Sequence, residues 1–532
     1  MNFDAILRDL LDPAAHPVGS SAPVLVQTHA SAVVLVGDDV YKLKKPVDLG
    51  FLDYSTLARR KSMCEAEVEL NRRLAPGVYQ GVVPITERAG HAVLRGAGAP
   101  IEHAVHMKRL SEEASLASRV MAAPVDPVLI DRIGRTIARF HRVARRGPEI
   151  ARWAEFDRVR ENCRENLAGL APHAESIAPI EEFLRLQLET EAELEAQRAR
   201  IELRVRENVP CETHGDLRLE HVYLLEGGEI AIIDCIEFSP RYACADPIAD
   251  IAFLAMDLRA HGAWSEARAL LASYFEESRD EGGRVLVPLY TSYRSAVRAK
   301  VRALQARTPG ILTDQRAKAL QLARAHVQLA VGELAPAGER PCLLLVGGLP
   351  GTGKSVLSGG LARTAGVTWL RADAIRKELA GLDPRESGRS EVRSGIYTPE
   401  WNERTYGECL ARAKTLLFAG QRVLVDASFK EERRRAAFLA AAREWGVPAF
   451  FLECRSSPEL VRGRLEGRVG DPSDADWGIY EHVSRTWEAL GPRTAAIHAV
   501  IDTSGPRETS LARALAALTL AGLHGDGRSG LA

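Results

Sequence analysis

The run "CLLLVGGLPGTGKS", Cys342 to Ser355, constrains the fold more than any other stretch of the chain. A short apolar segment without charge reads as a buried strand. The glycines behind it let the backbone turn tightly and aim successive N–H groups at one point. Gly348, Leu349, Pro350, Gly351, Thr352, Gly353, Lys354 and Ser355 complete the spacing Gly-x-x-x-x-Gly-Lys-Ser. Between a strand and a helix, that spacing is a phosphate cradle. The helix N-terminus adds its dipole, Lys354 reaches the β- and γ-phosphates, and the Ser355 hydroxyl offers a hard oxygen to Mg²⁺. The loop implies a nucleotide, with ATP and Mg²⁺ as the expected cofactors.

Strands and helices alternate around the loop. "CLLLVGG", "VTWLRAD", "QRVLVDAS" and "VPAFFLECR" read as strands with helical segments between them. That alternation predicts an α/β domain over residues 342–520, with a mostly parallel sheet flanked by helices. Asp373 closes the second strand, and Arg376 follows three residues later, nearly one helical turn. Both would face the phosphates, and an aspartate there would take the proton of an acceptor hydroxyl. The alternative is an N-cap aspartate with a surface arginine. Asp426 ends "RVLVDAS", placed to hold the Mg²⁺ shell. "VRGRLEGRVGDPSDADW" carries Arg462, Arg464 and Arg468, either on a hinged lid that neutralises transition-state charge or on a solvated face.

Residues 1–110 read as a small lobe of strands with one helix. Asp38-Asp39 is the expected hairpin turn and Ser55 the expected helix N-cap. Residues 111–335 read as mostly helical, apart from a short strand pair at Val222–Leu225 and Ile230–Ile233. Residues 336–341, in "LAPAGERP", suit a linker, and 521–532 a mobile tail. The helical part contains "HGDLRLEHVYLLEGGEIAIIDCIEF". Asp216 follows His214 by two residues, His221 follows Asp216 by five, and Asp234 closes the next strand. Upstream, "DDVYKLKKP" puts Lys42 and Lys44 on one strand face. "CEAEVELNRRL" offers Glu67, with Glu65 and Glu69 as competitors, and Asp250 reads as structural.

These motifs carry two resemblances. Residues 341 to about 515 resemble the P-loop kinase group that includes gluconate kinases, zeta toxins and the 5′-kinase of polynucleotide kinase. The shared features are Gly348–Ser355, Asp373-x-x-Arg376 and the arginine-bearing segment. "HGDLRLEHVYL" with Asp234 resembles the aminoglycoside phosphotransferase-like branch of the protein-kinase fold, whose loop is His-x-Asp-x-x-x-x-Asn with a metal-binding Asp beyond. That resemblance implies an α+β bilobal kinase-like fold. It gives Asp216 the acceptor hydroxyl, Asp234 the Mg²⁺, and the lysine pair with Glu67 the nucleotide. His221 stands at the metal-binding Asn position, and only Gly37 marks the place of a glycine-rich loop. Together the two halves resemble bacterial proteins in which an aminoglycoside phosphotransferase-like domain is fused to a P-loop ATPase or kinase domain.

Composition narrows the acceptor. Lys plus Arg total 70 and Asp plus Glu 71, a net charge of -1 that argues against a surface built for nucleic acid. The acceptor that the resemblances imply is a small hydroxylated molecule, with a nucleic-acid 5′-hydroxyl as the runner-up. A third reading is a regulatory P-loop ATPase governed by a ligand-binding pseudokinase lobe. The eight cysteines form no Cys-x-x-Cys pair and read as reduced thiols. No apolar run approaches about 18 residues and the N-terminus has no signal-peptide pattern, so no membrane span is expected and the cytoplasm is the expected location.

Overall fold

The computed structural model describes residues 1–12, 15–16, 22–50, 52–382, 396, 398–467 and 476–525. Two compact units emerge. The first comprises Met1–Val159, Ala199–Leu254 and Ser273–Glu281; the second comprises Arg160–Arg198, Ala255–Ala272 and Gly282–Ala532.

In the first unit a sheet is built from β1 (Val24–Gln27), β2 (Ser31–Val36), β3 (Asp39–Lys44), β4 (Tyr79–Arg88), β5 (His91–Leu94) and β6 (Pro100–Lys108). The order is β1-β2-β3-β6-β4-β5, antiparallel throughout. Val36 pairs with Asp39, so the hairpin turns at Gly37-Asp38, one residue earlier than expected. Gly37 takes the left-handed φ of 56° that a β-carbon would resist. One sheet face packs Val34, Tyr41, Leu43 and Ile85 against Ile6, Leu7 and Leu10 of the helix Phe3–Leu10.

The helix Leu57–Arg72 takes Thr56 as N-cap, its side chain accepting from Arg59 N. Ser55, the expected cap, bonds Asp53 instead. The helix buries Arg60, Cys64, Glu67, Val68 and Asn71, while Leu57, Met63 and Leu70 are only partly covered. Its inward face is therefore polar, which hydrophobic periodicity alone does not reveal. Two small ribbons complete the strands of this unit: β7 (Cys211–Glu212) pairs with β10 (Cys244–Ala245), and β8 (Val222–Leu224) pairs with β9 (Ile230–Ile232).

The second unit holds β11 (Leu343–Gly348), β12 (Thr368–Arg371), β13 (Val423–Asp426), β14 (Ala449–Arg455) and β15 (His498–Asp502). They form one parallel sheet in the order β12-β13-β11-β14-β15. Every residue of β11 is buried, as a central strand covered on both faces requires. Leu343 and Leu345 meet the helices Ala372–Leu379, Pro399–Phe418 and Glu432–Glu444. Cys342, Leu344 and Val346 meet Lys354–Thr364 and Arg507–Leu520. The result is the helix–sheet–helix layering that the alternating pattern predicts.

The boundary between units falls within the helical region, and residues 336–341 lie inside the second unit. Two features tie them there. Arg324 and Gln328, on the helix Thr313–Leu334, donate to the carbonyls of Phe418 and Leu417 at the end of Pro399–Phe418. Arg422, almost fully buried, donates to Ala337 O and Arg340 O at 2.9 Å each, to Leu523 O at 2.7 Å and to Ala365 O at 3.2 Å. Among the described residues no helix is long and apolar enough to cross a membrane.

Arg422→Met keeps the apolar stem and removes four charge-assisted bonds at once. The expected cost is about 3 kcal/mol, seen as a lower urea midpoint for the transition that unfolds the second unit.

Candidate active sites

In the second unit the cradle forms where β11 ends. Gly348 takes φ 138°, and a β-carbon there would lie 2.5 Å from Cys454 O. Gly351 takes φ 76°, and a β-carbon there would lie 2.8 Å from Val461 Cγ1. No other residue type fits either place without displacing its neighbours. The helix Lys354–Thr364 starts directly behind the loop. Lys354 Nζ donates to Leu349 O at 2.9 Å, and Thr352 Oγ1 donates to the same carbonyl at 2.7 Å.

Asp426 closes β13 beside β11, in register with Val346 and with Arg371 of β12. It is 4% exposed, receives the Ser355 hydroxyl, and its Oδ2 has no hydrogen-bond partner. Burial pushes its carboxyl up to about 6, against the opposing pull of Lys354 and of the Ser355 hydrogen bond. An orphaned buried carboxylate oxygen beside a serine hydroxyl is a hard-oxygen pair that suits a divalent cation. Among the described residues no group of three or more His, Cys, Asp or Glu could hold a metal. A cation here would therefore take its other ligands from water and phosphate, the habit of Mg²⁺.

Asp373 lies in the first turn of the helix Ala372–Leu379, whose N-cap is Arg371, and its charge is felt at Asp426. Arg376 is buried, and its Nη1 donates to Asn402 Oδ1 at 2.9 Å and to Ile396 O at 3.0 Å. So Asp373 is not the N-cap and Arg376 is not a surface residue; Arg376 is engaged with the helix Pro399–Phe418. Arg464 borders the loop: its Nη2 donates to Thr503 O at 2.8 Å, and its Nη1 lies 3.8 Å from where a β-carbon on Gly353 would sit. Arg462 faces outward, with Glu466 at 3.5 Å and the Trp477 ring at 5.1 Å. Arg468 lies outside the described residues.

In the first unit the expected lysine, glutamate and aspartate come together. Lys42 Nζ donates to Glu67 Oε1 at 2.8 Å and to Asp234 Oδ1 at 2.7 Å. Lys44 Nζ donates to Glu67 Oε2 at 2.5 Å and also bonds Glu237. Glu65 is exposed and pairs weakly with Lys61, and Glu69 is also exposed, which leaves Glu67 alone in the cluster. Burial favours the neutral acid at Glu67, but Lys42 and Lys44 outweigh it and hold the carboxyl below its usual range. At Asp234 burial is likewise outweighed, by Lys42 and then His221, and the carboxyl falls well below the usual range. Lys42 is held well above its usual value: burial opposes the charge, and Asp234, Glu67 and Glu237 overcome it.

The loop around Asp216 hangs on Asp250. This fully buried carboxylate accepts from His214 N at 2.7 Å and Gly215 N at 2.9 Å, and meets His141 Nε2 at 3.2 Å. Asp250 is thus structural, as its place in the sequence implies. Arg218 holds Asp216 with a two-pronged bridge, Nε to Oδ1 at 3.0 Å and Nη2 to Oδ2 at 2.9 Å. Burial would raise the Asp216 carboxyl, but Arg218 and then His221 keep it below its usual range. His221 Nδ1 meets Asp216 O at 2.8 Å, while its Nε2 stands 3.7 Å from both Asp234 Oδ2 and Glu220 Oε1. Sequence reasoning missed Arg218 and Glu237. Arg218 was within reach, two residues from Asp216 and opposite in charge; Glu237 meets a lysine 193 positions away, and nothing local marks it.

The two sites define a kinase-like phosphotransferase domain followed by a P-loop domain. Residues 52–285 match the profile of the Phosphotransferase enzyme family, and residues 343–489 match an AAA domain profile. An uncharacterized protein of Mycobacterium tuberculosis is 32% identical over 506 residues, covering 94% of this chain and 96% of that protein. The chain belongs to this family of phosphotransferase–AAA proteins. Among solved structures, a sugar kinase of Janibacter sp. is 22% identical and covers 34% of this chain and 96% of its own, with a TM-score of 0.27. A choline/ethanolamine kinase family protein of Mesorhizobium loti is 13% identical and covers 62% of this chain and 98% of its own, with a TM-score of 0.31.

Asp426 yields a pH prediction. Its carboxyl binds a proton more tightly folded than unfolded, so the folded state loses stability as pH rises from about 4 to about 6. Asp426→Asn should therefore raise the thermal midpoint of the nucleotide-free protein at pH 8, by the equivalent of about 1–3 kcal/mol. The gain should vanish near pH 4, and scanning calorimetry across that range checks it.

Proposed function

We propose that the chain is an ATP- and Mg²⁺-dependent kinase whose P-loop site phosphorylates a hydroxyl of a small molecule, and whose first unit holds a second nucleotide site. The observation that carries this reading is Asp426, a buried carboxylate with one orphaned oxygen, aligned with Ser355 and Lys354 at the loop. Mg²⁺, held by Ser355 and Asp426, would neutralise charge on the β- and γ-phosphates. Lys354 exchanges the Leu349 carbonyl for phosphate oxygens. Asp373 accepts the proton of the acceptor hydroxyl as that oxygen bonds to the γ-phosphorus and ADP departs. Arg464, beside Gly353, steadies the charge that develops on the transferred group. Arg376 and Asn402 shape the wall behind Asp373. ATP as donor fits a cytoplasmic protein.

In the first unit, Lys42 would bind nucleotide phosphates with Glu67 as its anchor. Asp234, 45% exposed at its side chain, would take the cation, and Asp216 would orient the acceptor. The net charge of -1 favours a small acceptor over nucleic acid. One observation favours a second reading, a ligand-binding lobe that regulates a P-loop ATPase: Arg218 occupies both oxygens of Asp216.

Lys354→Ala should lower ATP-dependent phosphorylation of small polyols and amino alcohols at the P-loop site at least about 100-fold; undiminished transfer would sink the assignment. End-labelling of 5′-hydroxyl oligonucleotides tests the runner-up acceptor in the same assay. Asp216→Asn decides the second reading. Lost transfer with retained nucleotide binding makes the first unit a kinase, and unchanged transfer makes it a regulator.

A further inference from the structure

The nucleotide lysine of the first unit, on the reading above, is Lys42. It is the more accessible of the pair, at 17% side-chain exposure against 2% for Lys44, and it touches Asp234 directly. Lys44 touches neither Asp234 nor, by its burial, a ligand in front of it. Its partners are Glu67, fully buried, and Glu237, which also accepts from Tyr54 OH at 2.9 Å. The Tyr54 ring lies 5.4 Å from the Lys44 ammonium.

Two consequences follow from this geometry. The first concerns Glu67, which gives one oxygen to each lysine, Oε1 to Lys42 and Oε2 to Lys44. Without Lys44, Oε2 would be a buried acceptor without a cation, and the carboxylate would turn or shift toward Lys42. The second concerns Asp234, whose backbone takes φ 68°, a left-handed conformation that a non-glycine residue resists. Such a residue persists only where its surroundings hold it. Tyr79 OH accepts from Asp234 N at 3.2 Å, Asn71 Oδ1 accepts from Cys235 N at 2.9 Å, and His214 O accepts from Ile236 N at 3.0 Å. Glu237 is the next residue of that segment, and Lys44 is the strand-borne cation that grips it.

We infer that Lys44 and Glu237 form a positioning clamp for the nucleotide site of the first unit. Through Glu67 the clamp aims Lys42, and through Glu237 it holds the strained segment that presents Asp234. Lys44 sits on β3, Glu67 on the helix Leu57–Arg72, and Glu237 just beyond β9, so one buried ammonium joins three separate pieces of chain. All three members of the clamp come from the chain itself, so the groups that aim Lys42 and Asp234 are covalently fixed to the fold.

The test uses the full chain carrying Lys354→Ala to silence the P-loop, titrated with fluorescent methylanthraniloyl-ATP and Mg²⁺. Lys42→Met in this background should abolish binding. Lys44→Met and Glu237→Gln should each weaken it about tenfold, the usual effect of losing a group that orients a direct ligand. Lys44→Arg should restore most of the loss. In a Glu67→Gln background, Lys44→Met should cost less than it does alone, because part of its effect passes through Glu67. A purely structural role would lower the thermal midpoint and leave the affinity of the folded protein unchanged. Unchanged affinity in Lys44→Met and Glu237→Gln overturns the clamp while leaving the nucleotide site intact. If Lys44→Met does not fold, Glu237→Gln, nearly isosteric, decides alone. If the Lys354→Ala protein binds nothing, or Lys42→Met binds as well as its parent, the nucleotide site itself is wrong and the clamp falls with it.

Discussion

Glu67 is fully buried, and two lysine ammonium groups meet it, one on each carboxylate oxygen. A charge taken out of water is tolerable only with opposite charge and complete hydrogen bonding around it. That requirement fixes much of the first unit. It demands two cations on one face of a strand, which the two-residue period of β3 supplies through Lys42 and Lys44. It demands a helix that turns a polar face inward, which Arg60, Glu67 and Asn71 provide at helical spacing. It brings two acids of the loop after β9 onto the small-lobe sheet.

The second unit handles the same problem in the opposite way. Asp234 is surrounded by cations contributed by the chain itself, and its carboxyl is driven down. Asp426 has a serine hydroxyl and an oxygen without a partner, and burial drives its carboxyl up against the pull of Lys354 and Arg371. The first carboxylate is already neutralised by the fold; the second is left short of positive charge. Perturbation of this kind concentrates at sites where chemistry or binding occurs. At Asp426 the unmet demand for charge supports the proposed binding of a metal-bound nucleotide at the P-loop.

Much of this was legible in the sequence because the signals were local. The loop Gly348–Ser355, the strands β11 to β14 and the His214-x-Asp216 motif each lie within a few residues. Their chemistry follows from spacing. Lys42 and Lys44 were offered together as partners for Glu67, with Glu65 and Glu69 as competitors, and the structure brings both lysines to Glu67. What escaped has a common physical character. Strand β15 is only half covered and shows weak alternation. The pairing of Lys44 with Glu237 joins parts of the chain that no periodic pattern connects. The helix Leu57–Arg72 hides a polar inner face, burying Arg60, Glu67 and Asn71 while Leu57, Met63 and Leu70 are only partly covered. The segment 336–341 has the composition of a linker, because proline, glycine and charge suit tight, hydrogen-bonded packing as well as they suit freedom.

That segment has a practical bearing on how the protein can be taken apart. Ala337 and Arg340 lend their carbonyls to Arg422, whose guanidinium also reaches Leu523 near the other end of the unit. The helix before it, Thr313–Leu334, covers the end of Pro399–Phe418 through Arg324 and Gln328. A recombinant fragment that opens at the P-loop strand would strip these groups away and bare the surface they cover. A stand-alone preparation of the nucleotide-binding half should therefore begin before residue 313 and run through Leu523, well outside the borders suggested by its motifs.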